Sequence, residues 1–200
     1  MEPFRPNREC PSRRRSLTGT DASASPDRRS AAACSCPACQ AEASGIEFDW
    51  EAERRRQENV IERNGMVIQY VMAEPPEVAW AYTIGRLRQG RPELVILGVD
   101  PQSANALLQL ADRHWHEHIT GGDGPSSDDP LYRFLPIPDR VWDTTSYLMG
   151  ARLDADRNGM SDRRQAFQLV WSDPDGRFPW EPDFEPRLRH LQPLLGMIVR

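Results

Sequence analysis

Glu93-Leu94-Val95-Ile96-Leu97-Gly98-Val99-Asp100-Pro101 is the stretch whose reading decides the fold. Its apolar run does not alternate with polar residues, as expected of a strand covered on both faces. Asp100-Pro101 then starts a helix, an acidic cap followed by a proline that is pre-set for the first turn. That helix is expected to run to about Ile119, with Ala104, Leu107, Leu108, Ala111 and Trp115 as its buried stripe. A strand feeding straight into a helix argues for a sheet with helices packed on it.

The flanking segments fit that frame. Upstream, Ala79 to Ile84 reads as a strand with Trp80, Tyr82 and Ile84 on one face, and Met66 to Met72 as another, broken by Pro75-Pro76. Before them, Asp49 caps a helix from Trp50 to Asn64, which Gly65 ends. Arg86 to Pro92 is expected to be a loop. Downstream, Gly121 to Pro130 is a polar loop, and Leu131 to Ile137 a strand candidate whose end Pro136 and Pro138 confine to an edge or a loop. Asp139 caps a helix holding Val141, Trp142, Tyr147, Leu148 and Leu153, and Asp154 to Asp162 forms a polar linker. Ala166 to Trp171 is the last strand, Asp173-Pro174-Asp175-Gly176 a tight turn, and Arg187 to Leu195 one or two helical turns. The predicted class is therefore α+β (mixed α/β): one domain with a central, mostly antiparallel or mixed sheet and two to three helices.

Composition divides the chain. It has 200 residues and a formal net charge of −5, and all 25 basic residues are arginines. Without lysine there is no Schiff-base nucleophile and no P-loop. Residues 1–40 carry seven arginines against four acids, so the basic charge gathers there on an otherwise acidic chain. Residues 1–33, rich in Arg, Ser and Pro, are expected to be a disordered tail. Residues 34–48 are expected to be a cysteine-containing lead-in, and residues 49–195 the globular domain. Ser12-Arg13-Arg14-Arg15-Ser16-Leu17 looks like a twin-arginine export signal, but the charged residues that follow take the place of its apolar region. The expected location is therefore cytoplasmic. No apolar run approaches the ~18 residues of a membrane helix. The acidic body repels phosphates and so argues against nucleic acid as a partner. That leaves an unidentified small molecule or protein.

Several segments together resemble the bacterial domain-of-unknown-function family 4262. They are Cys34-Ser35-Cys36-Pro37-Ala38-Cys39, Asn64-Gly65-Met66-Val67-Ile68-Gln69, Trp80-Ala81-Tyr82-Thr83-Ile84-Gly85, Arg91 to Gly98, Gln168 to Trp180 and Gln192-Pro193. The sequence departs from the family at Met66, where an aromatic residue is usual, and at Ser172, where proline is. The resemblance implies the fold and carries no activity with it.

Three constellations bear on chemistry. Cys34, Cys36 and Cys39 are spaced so that three thiolates can face one ion, zinc being the fitting cofactor, but inert reduced thiols are the plainer account and a redox pair is a further alternative. His114 and His118 share a helical face, but Trp115 stands where a zinc-protease helix needs glutamate, so a polar helix end is the plainer account. Finally, Tyr82, Thr83, Glu93, Trp171, Asp173, Arg177 and Trp180 are candidates to line an aromatic ligand pocket. Core aromatics and a salt-bridged turn would account for the same residues. The expected function is a small binding or regulatory module. The alternatives are an enzyme of hydrolase or isomerase type with Glu93 or Asp173 as acid or base, or a zinc or redox role of the cysteines.

Overall fold

The computed structural model describes residues 44, 45, 47, 49–73, 77–118 and 131–196, with 116–118 described by their backbone alone. The cysteine triad, the arginine-rich tail and the predicted loop from Gly121 to Pro130 lie outside the described residues. The chain divides into two compact units between Arg56 and Gln57, and the sheet belongs to the second.

Helix α1 spans Trp50–Asn64. The Asp49 carboxylate accepts the Ala52 N–H at 2.9 Å, and Gly65 closes the helix at φ +80°. Then come β1 (Val67–Val71), β2 (Trp80–Ile84), a 3₁₀ turn (Arg86–Gln89) and β3 (Glu93–Leu97). After these follow α2 (Pro101–His118), β4 (Tyr132–Pro136), α3 (Asp139–Thr144), α4 (Met149–Arg157), β5 (Ala166–Trp171) and the short α5 (Pro186–Arg189). The five strands form one sheet in the order β1-β2-β3-β5-β4. Only β3 and β5 are parallel, and β4 lies at an edge, one of the two places its prolines allow.

The sheet is covered on both faces, which is why β3 is apolar throughout. On one face Trp80, Tyr82, Ile84, Val95 and Leu97 pack with Val141 and Trp142 of α3, Leu148, and Ala151 and Ala155 of α4. On the other, Ala81, Leu94, Ile96 and Leu169 pack with Ala104, Leu108, Ala111 and Trp115 of α2 and with Tyr132 and Phe134. Leu107 is only partly buried. Each fully buried leucine contributes about 2 kcal/mol as an upper figure.

The region after β4 differs from expectation in three ways. The single helix predicted from Asp139 is two. The Thr144 and Thr145 hydroxyls donate back to the Arg140 and Val141 carbonyls at 2.7 Å each, and Thr145 turns extended, which breaks the run. Asp139 is not the cap; Pro138 holds that position, and Asp139 lies in the first turn where its charge suits the helix dipole. Asp154 does not begin a linker. It lies within α4 and is buried, because Arg88 binds it. Among the described residues no helix is long and apolar enough to cross a membrane.

Candidate functional site

The strand register sorts the sequence-predicted residues. Val67, Ile84, Glu93 and Ala166 mark one end of the sheet; Val71, Trp80, Leu97 and Trp171 mark the other. At ~3.3 Å per residue these ends are about 13 Å apart along β3. Thr83 and Glu93 meet at the first end, whereas Trp171, Asp173, Arg177 and Trp180 lie at and beyond the second. The seven residues therefore do not line one cavity.

Glu93 is 1% exposed and makes contacts through both oxygens. Thr83 Oγ1 donates to Oε2 at 2.5 Å, and the Gly85 and Leu87 N–H groups donate to Oε1 at 3.0 and 3.2 Å. Thr83 Oγ1 in turn accepts the Leu94 N–H at 2.8 Å, so its proton is committed to Glu93. Burial pushes the Glu93 pKa up to about 7, against the lowering pull of Thr83, the Leu87 N–H, the Arg86 charge and the Gly85 N–H. Arg86 is fully buried beneath Trp115, its Nε donates to the Pro92 carbonyl at 2.7 Å, and it is ion-paired with Asp112. Burial, joined by the charge of Arg91, brings the Arg86 pKa down to about 10. Arg88 reaches the opposite helical layer, where its fork holds both oxygens of Glu58 at 2.7 and 3.1 Å and it also binds Asp154. The 3₁₀ turn thus ties α2 to α4 and to Glu58 of α1 through two arginines.

A raised carboxylate pKa makes a signed prediction. In the folded chain Glu93 holds its proton up to about pH 7, and in the unfolded chain only to about 4.5. Its contribution to stability is therefore fully present below pH 4.5 and is lost as pH rises through 7, by about 3 kcal/mol in total. Urea unfolding of the wild type between pH 5 and 8 should show this decline, and Glu93→Gln should flatten it. Parallel profiles for the two proteins would contradict it.

Tyr82 is buried with its hydroxyl against the Gly150 N–H at 3.2 Å, and burial lifts its pKa to about 12. It anchors α4 to the sheet. Asp173 is the knot of its turn. Oδ1 accepts the Asp175 and Arg177 N–H groups at 3.0 and 2.9 Å, and Oδ2 accepts that of Glu185 at 3.1 Å. Burial works to raise the Asp173 pKa, but these donors and the charge of Arg177 outweigh it, leaving it below its ordinary value. The Arg177 guanidinium itself donates to the Asp183 carbonyl at 2.8 Å and lies near Asp175. Trp180 is half exposed and stacks on Phe178, with ring centroids 5.2 Å apart. His114 Nδ1 meets the Tyr132 hydroxyl at 2.9 Å. The side chains of His116 and His118 lie outside the described residues, and no group of three or more His, Cys, Asp or Glu that could hold a metal occurs among the described ones.

A cleft of about 460 Å³ opens at the second end of the sheet, lined by Tyr70, Glu77, Val78, Ala79, Gly98, Val99, Asp100, His190 and Leu191. Asp100 caps α2 by accepting the Gln102 and Ser103 N–H groups at 3.0 Å each and the Ser103 hydroxyl at 2.6 Å. These bonds, that from the Ser103 hydroxyl foremost, hold its pKa below the usual value. The Tyr70 hydroxyl donates to the Val99 carbonyl at 3.0 Å. Trp171 braces the neighbouring backbone. Its indole N–H donates to the Leu97 carbonyl at 2.8 Å, and its own amide pairs both ways with the Gln192 side chain at 2.8 and 3.1 Å. Gln168 fixes the Pro193 carbonyl and the Leu195 N–H at 3.0 and 2.8 Å. Sequence reasoning passed over Tyr70, Glu77, Asp100 and His190 as site residues. The usable signal was the strand-to-helix step Gly98-Val99-Asp100-Pro101, which marks the carboxyl end of β3 and the start of α2.

A family model described as Domain of unknown function (DUF4262) matches residues 60–185. The match spans the sheet and leaves out the cysteine cluster and Gln192-Pro193. No curated protein and no solved structure matches the chain.

Proposed function

This chain belongs to the domain-of-unknown-function family 4262, and we propose that it works as a small binding or regulatory module that holds a small molecule at the carboxyl end of β3. The observation that carries this is the cleft of about 460 Å³, within the usual ~300–1,000 Å³ of small-molecule sites. Val78, Ala79, Val99 and Leu191 supply apolar wall, and Tyr70, Glu77, Asp100 and His190 supply polar groups. Among the described lining residues Tyr70 supplies the aromatic ring, and Trp171 is a positioning residue whose indole holds the Leu97 carbonyl and whose backbone holds the Gln192 side chain beside it. Acid–base chemistry by Glu93 or Asp173 is the weaker account. Glu93 has both oxygens engaged inside the protein, and Asp173 spends its oxygens on three backbone N–H groups of its own turn.

Amide chemical-shift mapping with a fragment library on the ¹⁵N-labelled full chain tests this. Saturable shifts should gather at Tyr70, Gly98, Val99, Asp100 and Leu191. Shifts confined to the 173–185 turn, or scattered over the surface, would overturn it.

A further inference from the structure

We propose that the ligand of this cleft is a small organic cation, an alkylammonium or guanidinium compound with a short apolar body. The inference rests on the binding function proposed above and adds the chemical class. Among the described lining residues Glu77 and Asp100 are carboxylates, His190 is the one basic side chain and none is an arginine, although arginine supplies all 25 of the chain's Lys and Arg residues. The amides that would draw an anion to the start of α2 are already taken, since the Gln102 and Ser103 N–H groups donate to Asp100. Asp100 is held in its charged form by these same donors and the Ser103 hydroxyl. Tyr70 lines the cleft, and its hydroxyl proton is given to the Val99 carbonyl rather than offered to an anion. The aliphatic side chains of Val78, Val99 and Leu191 suit a methylene chain better than a hydrated metal ion. Among the described residues no three acidic, histidine or cysteine side chains converge as a metal would need.

The test uses four probes of similar length on the full chain: agmatine, cadaverine, the neutral 1,5-pentanediol and the dianionic glutarate. Titrations are followed by calorimetry and by the Gly98, Val99 and Asp100 amide shifts. Agmatine and cadaverine should bind saturably, with affinity falling as salt rises. Asp100→Asn and Glu77→Gln should each weaken binding by about ten-fold. Asparagine caps a helix as well as aspartate and Glu77 is exposed, so both variants should remain folded. If pentanediol or glutarate produces the same shifts with equal or greater affinity, the cationic class is wrong while the cleft remains a binding site. If the amines bind a variant carrying both Glu77→Gln and Asp100→Asn as tightly as the wild type, the carboxylates do not recognise them and the inference fails. If none of the four moves the cleft amides, the inference fails and the fragment map decides the broader proposal independently.

Discussion

Thr83→Val should cost about 3–4 kcal/mol, although valine has almost the shape of threonine. Thr83 is fully buried in β2, and its hydroxyl serves two partners at once. It accepts the Leu94 N–H at 2.8 Å, just beyond the last paired residues Tyr82 and Val95, where the β2–β3 ladder stops. It donates to Glu93 Oε2 at 2.5 Å. Valine leaves a buried N–H without an acceptor, at ~1–3 kcal/mol, and removes a hydrogen bond that at pH 8, where Glu93 is ionised, is charge-assisted and contributes ~1.5–3 kcal/mol. The loss is a large share of a typical ~5–15 kcal/mol total. The Glu93 pKa should also rise further, because the first of its lowering partners has gone. Thr83→Ser, which keeps the hydroxyl and loses a methyl, should cost about 1 kcal/mol. Urea unfolding of the three proteins checks this. A valine variant within 0.5 kcal/mol or so of the wild type would show that the hydroxyl is dispensable.

Gly98→Ala should lower stability by about 3 kcal/mol or more and spoil the cleft as well. Gly98 has φ +73°, a region that costs an L side chain about 1–2 kcal/mol. A Cβ there would also lie 2.1 Å from the Leu191 carbonyl oxygen, a backbone atom that no rotamer change can move. The segment holding Leu191 is fixed by the Gln192–Trp171 and Gln168–Leu195 hydrogen bonds, so it yields only by breaking them. The melting temperature should fall by about 6–12 °C. Gly176→Ala is the internal control. It has φ +79° but open space around its Cβ, so it should show the conformational cost alone. Equal losses at the two sites would remove the close approach as the cause. Retained probe binding in Gly98→Ala would separate the cleft from the position of Leu191.

Most of the fold was legible because its signals are local. The apolar run from Leu94 to Leu97, the Asp100-Pro101 start and the Asp49 and Gly65 helix ends each act within a few residues, and each element stands where these signals put it. The helix after Asp139 was misjudged because the Thr144 and Thr145 hydroxyls compete with the helix for its own carbonyls, an effect that apolar periodicity does not register. Asp154 was misjudged because its partner Arg88 is 66 residues away.

The candidate site was legible only in part. Thr83, Glu93 and Asp173 stand out in the sequence as polar groups among aromatic segments, and each is buried. What they do depends on partners: backbone N–H groups and hydroxyls satisfy them, so they brace the fold from within. The seven candidates were grouped because they lie in strands and turns with aromatic neighbours. The pairing of β2 with β3, antiparallel, and of β3 with β5, parallel, sends them to opposite ends of the sheet. The same pairing brings Tyr70, Asp100 and His190 to one cleft across 120 positions of chain. Local sequence determined the elements and their two-sided burial, since propensity, caps and periodicity act over one turn or one strand. Only the tertiary structure decided which polar residues became internal braces and which face an open cleft, because strand direction and register are set by contacts between residues far apart in the chain.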